Sequence, residues 1–285
     1  MPTVTIIGIG RVGGSLSKIF KNSDFQIEHL IGHNSDLSKG IVTLDSVELI
    51  GSDIVLIAVG DNSIGTVSNS IFDKISQNSI VLHLSGSLSS EILHDLKKRG
   101  CSVGSMHPLV SISSSDFGIE RFNGTFFCIE GDAKATECAE AIVKFLGGKS
   151  FTISSELKSL YHAAAVTASG HVTALIDLAV EMMKRSGVPP DNALEILMPL
   201  IQSTILNIAE HGTAAALTGP FARADSSVFE RQIEPIEMNL SSDEAEIYLS
   251  LALRSLKLAA ERGTNLDSIS ELESMIRIVK SDLHE

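Results

Sequence analysis

Basic residues are scarce in this 285-residue chain: 22 lysines and arginines face 35 aspartates and glutamates, for a formal net charge of -13 and a pI near 5.1. No lysine and arginine stripe concentrates the basic charge that is present. A surface of this sign repels polyphosphate backbones, so nucleic acid is not an expected partner. Cysteine is scarce too. Cys101, Cys128 and Cys138 are odd in number and lack metal-like spacing. They point to buried thiols in a reducing compartment and to neither a disulfide framework nor a metal site. There is no serine nucleophile elbow. Met1-Pro2 leads straight into a strand, without a basic start and apolar signal core, and no uninterrupted apolar run of about 20 residues occurs. These absences make a cytoplasmic protein with no membrane partner the expectation.

Hydrophobic residues make up 44% of the chain, and its length suits two domains. Over residues 1–153 the pattern alternates, with strands expected at 3–8, 25–31, 53–59, 79–84, 101–106, 125–130 and 150–153 and helical stretches between most of them. "DIVLIAV" and "SIVLHL" are continuous apolar runs, as in strands covered on both faces. The fold class read from this alternation is α/β: a doubly wound parallel Rossmann sheet followed by an all-helical domain over 154–285. Helices are expected at 155–186, 191–210, 226–238, 242–262 and 266–283, with Gly187, Gly212 and Gly263 at helix ends. The stretch Leu157 to Met183 is apolar on nearly every face, which predicts burial on nearly every face. Small residues from Ala163 to Gly170 would let another helix pack closely, so a homodimer through the C-terminal helices is expected.

The first strand runs into "GIGRVGG". Gly8 allows a sharp turn, Gly10 lets the backbone approach a pyrophosphate, and Gly13 lets the following helix lie close on the strand. The expected cofactor contacts are Gly8, Ile9, Gly10, Arg11, Val12 and Gly13. The second strand ends in His33, Asn34 and Ser35, with no carboxylate to accept ribose hydroxyls, and Glu28 falls inside the strand. Neutral donors, with Arg11 in the loop and Lys39 downstream, favour NADP over NAD. Val59, Gly60 and Asp61, past the next strand, complete the cofactor set; Asp61 is also a candidate helix cap.

In open α/β sheets ligands bind beyond the carboxyl ends of the strands. "HLSGS" places His83 and Ser85 there, and "GSMHPLV" places His107 there. On the long helix, His162, Val166, Ser169 and Thr173 share one face, which makes His162 the strongest candidate for the proton transfer that accompanies hydride transfer. A core histidine is the plainer reading for each ring. In "ALTGPFARADSSVFE", Arg223 suits a substrate carboxylate, or else pairs with Asp225.

"GIGRVGG", "AVGD", "HLSGS", "GSMHPL", "LYHAAAVTAS" and "ALTGPFARAD" occur in the order found in candidate NADP-dependent oxidoreductases. The chain resembles that family, which joins a Rossmann-like domain to a helical C-terminal domain of unknown function, over Val4 to about Leu258. It departs from the pattern at Gly60, Gly170 and Ala224. More distantly it looks like pyrroline-5-carboxylate reductases, β-hydroxyacid dehydrogenases, with their 6-phosphogluconate-dehydrogenase-like helical domain, and prephenate dehydrogenases. The resemblance implies NADP at Gly8, Gly10 and Gly13 and a substrate cleft between the domains. A small carbonyl or imine compound is the expected substrate, with His162 donating the proton, His83, Ser85 and His107 positioning it and Arg223 holding a carboxylate. The alternatives are a non-catalytic NADP-binding sensor or scaffold, and a deazaflavin-dependent NADP reductase.

Overall fold

The computed structural model describes residues 1–111 and 118–283. The chain divides into two compact units, Met1–His171 and Val172–Glu285. The first unit runs past the expected boundary after residue 153, because the helix that begins at Lys158 packs its Lys158 and Tyr161 onto the sheet.

The first unit is built on eight strands: β1 (Thr3–Ile7), β2 (Gln26–Gly32), β3 (Ile41–Thr43), β4 (Ile54–Ile57), β5 (Ile80–His83), β6 (Ser102–Pro108), β7 (Phe126–Gly131) and β8 (Lys149–Thr152). Their order is β3-β2-β1-β4-β5-β6-β7-β8. Each of the seven expected strands is present. The three-residue β3 lay outside the expectation, being too short for a periodic signal. A second correction concerns direction: the sheet is parallel except at β6 and β7, which pair antiparallel. Helices α1 (Arg11–Lys21), α2 (Asp61–Ile71), α3 (His94–Lys98) and α4 (Ala133–Phe145) flank it. One apolar layer gathers Leu16, Phe20, Phe127 and Ile142; the other gathers Ile64, Ile71, Leu93 and Leu96. Central strands buried on both faces explain why β4 and β5 read as continuous apolar runs.

Beyond the sheet, α5 (Lys158–Val166) passes through a π-helical turn at Thr167–His171 into α6 (Val172–Arg185). The π turn takes up an extra residue and breaks the i, i+4 register on which the polar stripe from His162 to Thr173 rested. Burial on nearly every face is not what this chain provides: over residues 158–185, Lys158 is the one buried residue. Tyr161, Val166, Ile176 and Met182 are among its partly buried residues, and other apolar faces of this helix are exposed.

In the second unit α6 is followed by α7 (Pro190–Ala216), α8 (Ser226–Asn239), α9 (Ser242–Glu261) and α10 (Leu266–Asp282), a wholly helical arrangement. Gly212, at φ 78° and ψ 170°, interrupts α7 where the expected helix ended. Phe229, Leu249, Leu256, Leu272 and Ile276 form the core. A capping box between Ser241 and Glu244 starts α9. By length and composition, Ser155–Arg185 and Pro190–Arg223 are apolar enough to cross a membrane. Leu160, Leu200 and Leu206 are each more than 60% exposed.

Candidate active site

The order of the sheet reverses between β1 and β4, and a topological switch point of this kind opens a crevice at the carboxyl ends of the strands. Gly8 leaves β1 at φ +98°, and a Cβ there would sit 2.8 Å from the Ala58 carbonyl oxygen. A Cβ on Gly13 would come within 2.0 Å of the Gly8 carbonyl oxygen, so the close approach of α1 to the strand end requires glycine. Gly10 is the reverse case: nothing lies within 4 Å of its Cβ position, and it stands at the N-cap of α1 without a side-chain partner. Helix geometry leaves the first N–H groups of α1 free of intrahelical partners. A tight turn, an open approach and a close helix are the three requirements of a pyrophosphate cradle, and these residues meet them.

Beside the turn lies a cavity of about 670 Å3 lined by Gly8, Ile31, His33, Asp45, Val59 and Thr66, among others. Ile9 and Val12 are partly buried, Arg11 is exposed at the start of α1, and Asn34 and Ser35 are exposed beyond β2. Gly60 is the N-cap of α2. Asp61 is its first helical residue and accepts a hydrogen bond from Ser87 Oγ at 2.5 Å, so its carboxylate is not the cap. Lys39, expected near the cofactor, pairs with Asp36 at 2.9 Å, and Glu28, set aside as a residue inside the strand, accepts bonds from Gly51 N at 3.2 Å and from Ser52 Oγ. Asp45 was not anticipated. It follows β3, and only the pairing of β3 with β2 carries it into this cavity.

A second constellation forms on β5, β6 and β7. The strand register aligns His83 with Ser105 and Ser105 with Glu130; two residues further along β6, His107 aligns with Cys128. Period-two alternation puts Ser105 and His107 on one face of the sheet. Helix α5 lies over that face, and its i, i+3 spacing matches the two rows. Lys158 Nζ reaches Glu130 Oε1 at 3.3 Å and donates to Ser105 Oγ, while the Tyr161 hydroxyl lies 2.7 Å from His107 Nδ1. His162, one residue on, sets its ring edge-on to His107 at 5.9 Å between centroids. A Cβ on Gly86 would lie 2.5 Å from His162 Cδ2 and 2.7 Å from His107 Nε2, so both rings occupy space that only a glycine leaves open. His107, His162, Val166 and Ser169 line a cavity of about 290 Å3.

Of the expected substrate residues, His107 and His162 meet at this cavity. His83 is fully buried and accepts from Ser85 N at 3.2 Å through Nδ1. Ser85 Oγ caps its own loop, accepting from Ser87 N and Leu88 N. Arg223 lies in the second unit at the end of a 3-10 turn, followed by Ala224 at φ 50°; Asp225 accepts from Ser227 Oγ and Val228 N as the cap of α8. In this second constellation the residues missed from sequence are Ser105, Glu130, Lys158 and Tyr161. The "YH" and "SMH" pairs were the available signals, but their meaning depends on the strand register.

Burial governs the ionisation here. His83 is pushed down to about 4 by burial and then by Lys158, and His107 to about 4 by burial, then by His162 and Lys158. Burial pulls Lys158 down, offset in part by Glu130. Burial raises Glu130, yet bonds from Ser105 and Ser90 and the Lys158 charge outweigh it and hold the carboxyl below its usual range. Both histidines are thus neutral in the fold and gain a proton on unfolding below the ordinary value of 6.5. Their contribution to stability is present above pH 6.5 and is lost as the pH falls through about 4, by up to about 3 kcal/mol for each ring. Urea unfolding across this window should show the slope, and His83→Gln should flatten it. An equally steep slope in the variant would place the shifted groups elsewhere.

These features define the class: a Rossmann-like domain with a glycine-rich turn between its first strand and helix, continued by a helical C-terminal region. Residues 2–108 match the model of the Rossmann-like domain, and residues 125–255 match that of a domain of unknown function, DUF2520. The chain is therefore a Rossmann-like protein with a DUF2520 C-terminal domain. No curated protein matches the sequence. Among solved structures, a candidate NADP oxidoreductase from Bacteroides fragilis shares the fold with a TM-score of 0.72 at 19% identity, over 90% of this chain and 98% of its own. A protein from Thermotoga maritima does so with a TM-score of 0.67 at 24% identity, over 99% and 100%. Pyrroline-5-carboxylate reductase from Streptococcus pyogenes follows with 0.58 at 14%, over 96% and 98%. At these identities the likeness establishes the fold, including the expected kinship in architecture with pyrroline-5-carboxylate reductases.

Proposed function

We propose that this chain is an oxidoreductase that binds NADP(H) in the cavity beyond β1, β2 and β4 and acts on a small carbonyl or imine compound beside His107 and His162. The observation that carries this reading is the glycine loop, in which Gly8 and Gly13 admit no side chain and Gly10 stands open at the start of α1. The name of the Bacteroides fragilis relative, an NADP oxidoreductase, supports the same cofactor. Bound nicotinamide would supply or accept a hydride at the substrate carbon. The chain's own part is to hold the C=O or C=N bond and to deliver a proton to its oxygen or nitrogen. His162, partly exposed in the cavity wall, is the proposed proton donor, and His107 a hydrogen-bonding partner. Fully buried His83 supports the loop from below.

The preference for NADP over NAD rests on the exposed, neutral His33, Asn34 and Ser35 and on exposed Arg11, with Asp45 opposing it. Titration with NADPH and with NADH, followed by nucleotide fluorescence and thermal stability, tests both parts. Micromolar NADPH with NADH at least about tenfold weaker, or ~1.4 kcal/mol, is expected. Equal affinity would mean that Asp45 reads the ribose hydroxyls. Binding of neither would reduce the glycine loop to a turn and remove the enzyme reading with it.

The uncovered apolar faces of α5, α6 and α7 favour a second copy of this chain as partner. Light scattering at micromolar concentration should then read twice the chain mass, and the mass of one chain would remove that part of the proposal.

A further inference from the structure

The Tyr161 hydroxyl and His107 Nδ1, 2.7 Å apart, can share one proton in either of two directions. A phenol is the stronger acid and an imidazole nitrogen the stronger base, so the O–H···N arrangement is favoured over N–H···O. Burial, with Cys128 close by, pushes the Tyr161 hydroxyl well above its ordinary value, so it keeps a proton to donate. The other edge of the His107 ring, Nε2 and Cε1, packs against Gly86, and the ring lines the cavity that it shares with His162.

We infer that Tyr161 is a positioning residue: its phenol donates to His107 Nδ1 and fixes the ring as the Nε2–H tautomer, so that Nε2–H is the hydrogen-bond donor to the reacting oxygen or nitrogen of the substrate. This assignment rests on the oxidoreductase reading for its substrate but on geometry alone for its tautomer. A neutral N–H donor polarises a carbonyl or imine without bringing a charge beside the nicotinamide, and it leaves protonation to His162. The groups facing His107 agree with a neutral ring. His162 and Lys158 on α5 and His83 on β5 disfavour a further positive charge, and against them Asp61 on α2 favours one. Leu157, Leu160 and Ala164 line the groove behind Tyr161.

Two-bond proton–nitrogen correlation spectra of uniformly 15N-labelled protein read the tautomer directly, with the His107 signals assigned by their loss in His107→Gln. At pH 7 the wild type should show a pyrrole-type Nε2 and a pyridine-type Nδ1 displaced by a hydrogen bond. In Tyr161→Phe, which keeps the ring and removes only the hydroxyl, the Nδ1 signal should move to its unbonded position and the second tautomer should gain population. A protonated Nδ1 in the wild type would overturn the assignment, and so would a Nδ1 signal unmoved by Tyr161→Phe. Should the phenylalanine variant fail to fold, the wild-type spectrum still decides the direction of the bond. The readout needs neither nucleotide nor substrate, so its failure is distinct from a failed NADPH titration.

Discussion

Lys158→Ala is expected to destabilise the first unit by about 3 kcal/mol or more at neutral pH, because it strands a buried carboxylate. Glu130 is 6% exposed and Lys158 is 1% exposed, and their contact is the charge balance of the layer between α5 and the sheet. Taking two charges out of water costs several kcal/mol each; the pair recovers this only while both members are present. The Glu130 carboxylate would retain Ser90 N and Oγ at 2.8 Å and Ser105 Oγ at 2.7 Å, which sets the loss near the lower end of the range for broken buried pairs. Its carboxyl would also lose the Lys158 charge that helps hold it below the ordinary value, so the penalty should shrink as the pH falls and the acid takes up its proton. The double variant Lys158→Met with Glu130→Gln removes both charges while keeping an acceptor for Ser90, and should recover most of the loss. Urea unfolding of the three proteins checks this. A single-variant loss below about 1 kcal/mol would mean that water reaches Glu130.

Gly13→Ala and Gly10→Ala are expected to separate folding from nucleotide binding. The added methyl at Gly13 would lie 2.0 Å from the Gly8 carbonyl oxygen and 3.0 Å from Ala58 Cβ, so α1 must leave the strand end. Overpacking of this kind costs about 1–3 kcal/mol, and the helix start no longer aims its N–H groups at the phosphates. Both thermal stability and NADPH affinity should fall, the latter at least about tenfold, or ~1.4 kcal/mol. At Gly10 the methyl meets no atom within 4 Å, and the backbone at φ -81° accepts alanine. Stability should therefore change by no more than the ~1 kcal/mol of an altered N-cap, while affinity falls as steeply, because the methyl occupies the path of the pyrophosphate. Thermal melts with and without NADPH distinguish the cases. Unchanged affinity in both variants would show that the nucleotide does not use this loop.

How much of this was legible depended on how local each feature is. The strands from β1 to β8, apart from β3, announce themselves by apolar runs between turn residues, and the helices of the second unit by spacing and capping. The short β3 does not, and with it went Asp45, whose place in the cavity beside Gly8 comes from the pairing of Ile31 with Val42. Nor does any local pattern state that β7 runs antiparallel to β6, which is what brings Glu130 opposite Ser105. His107 and His162 stand out in "MHP" and "YHAAA", but nothing local in the sequence joins the two. Their meeting at Gly86 is a property of the sheet and of α5 together.

By itself the sequence determined the glycine turn: Gly13 must clear the Gly8 carbonyl five residues earlier, a requirement set within one strand and helix start, whereas the Ala58 carbonyl that bars a side chain at Gly8 is brought there by β4. It also determined the succession of a sheet unit and a helical unit, because hydrophobic periodicity is a property of neighbouring residues. Tertiary structure alone decided the pairing of Lys158 with Glu130 and of Tyr161 with His107, residues 28 and 54 positions apart. Those contacts depend on strand register, and a one-residue slip in β6 or β7 would turn Ser105, His107 and Glu130 to the opposite face of the sheet.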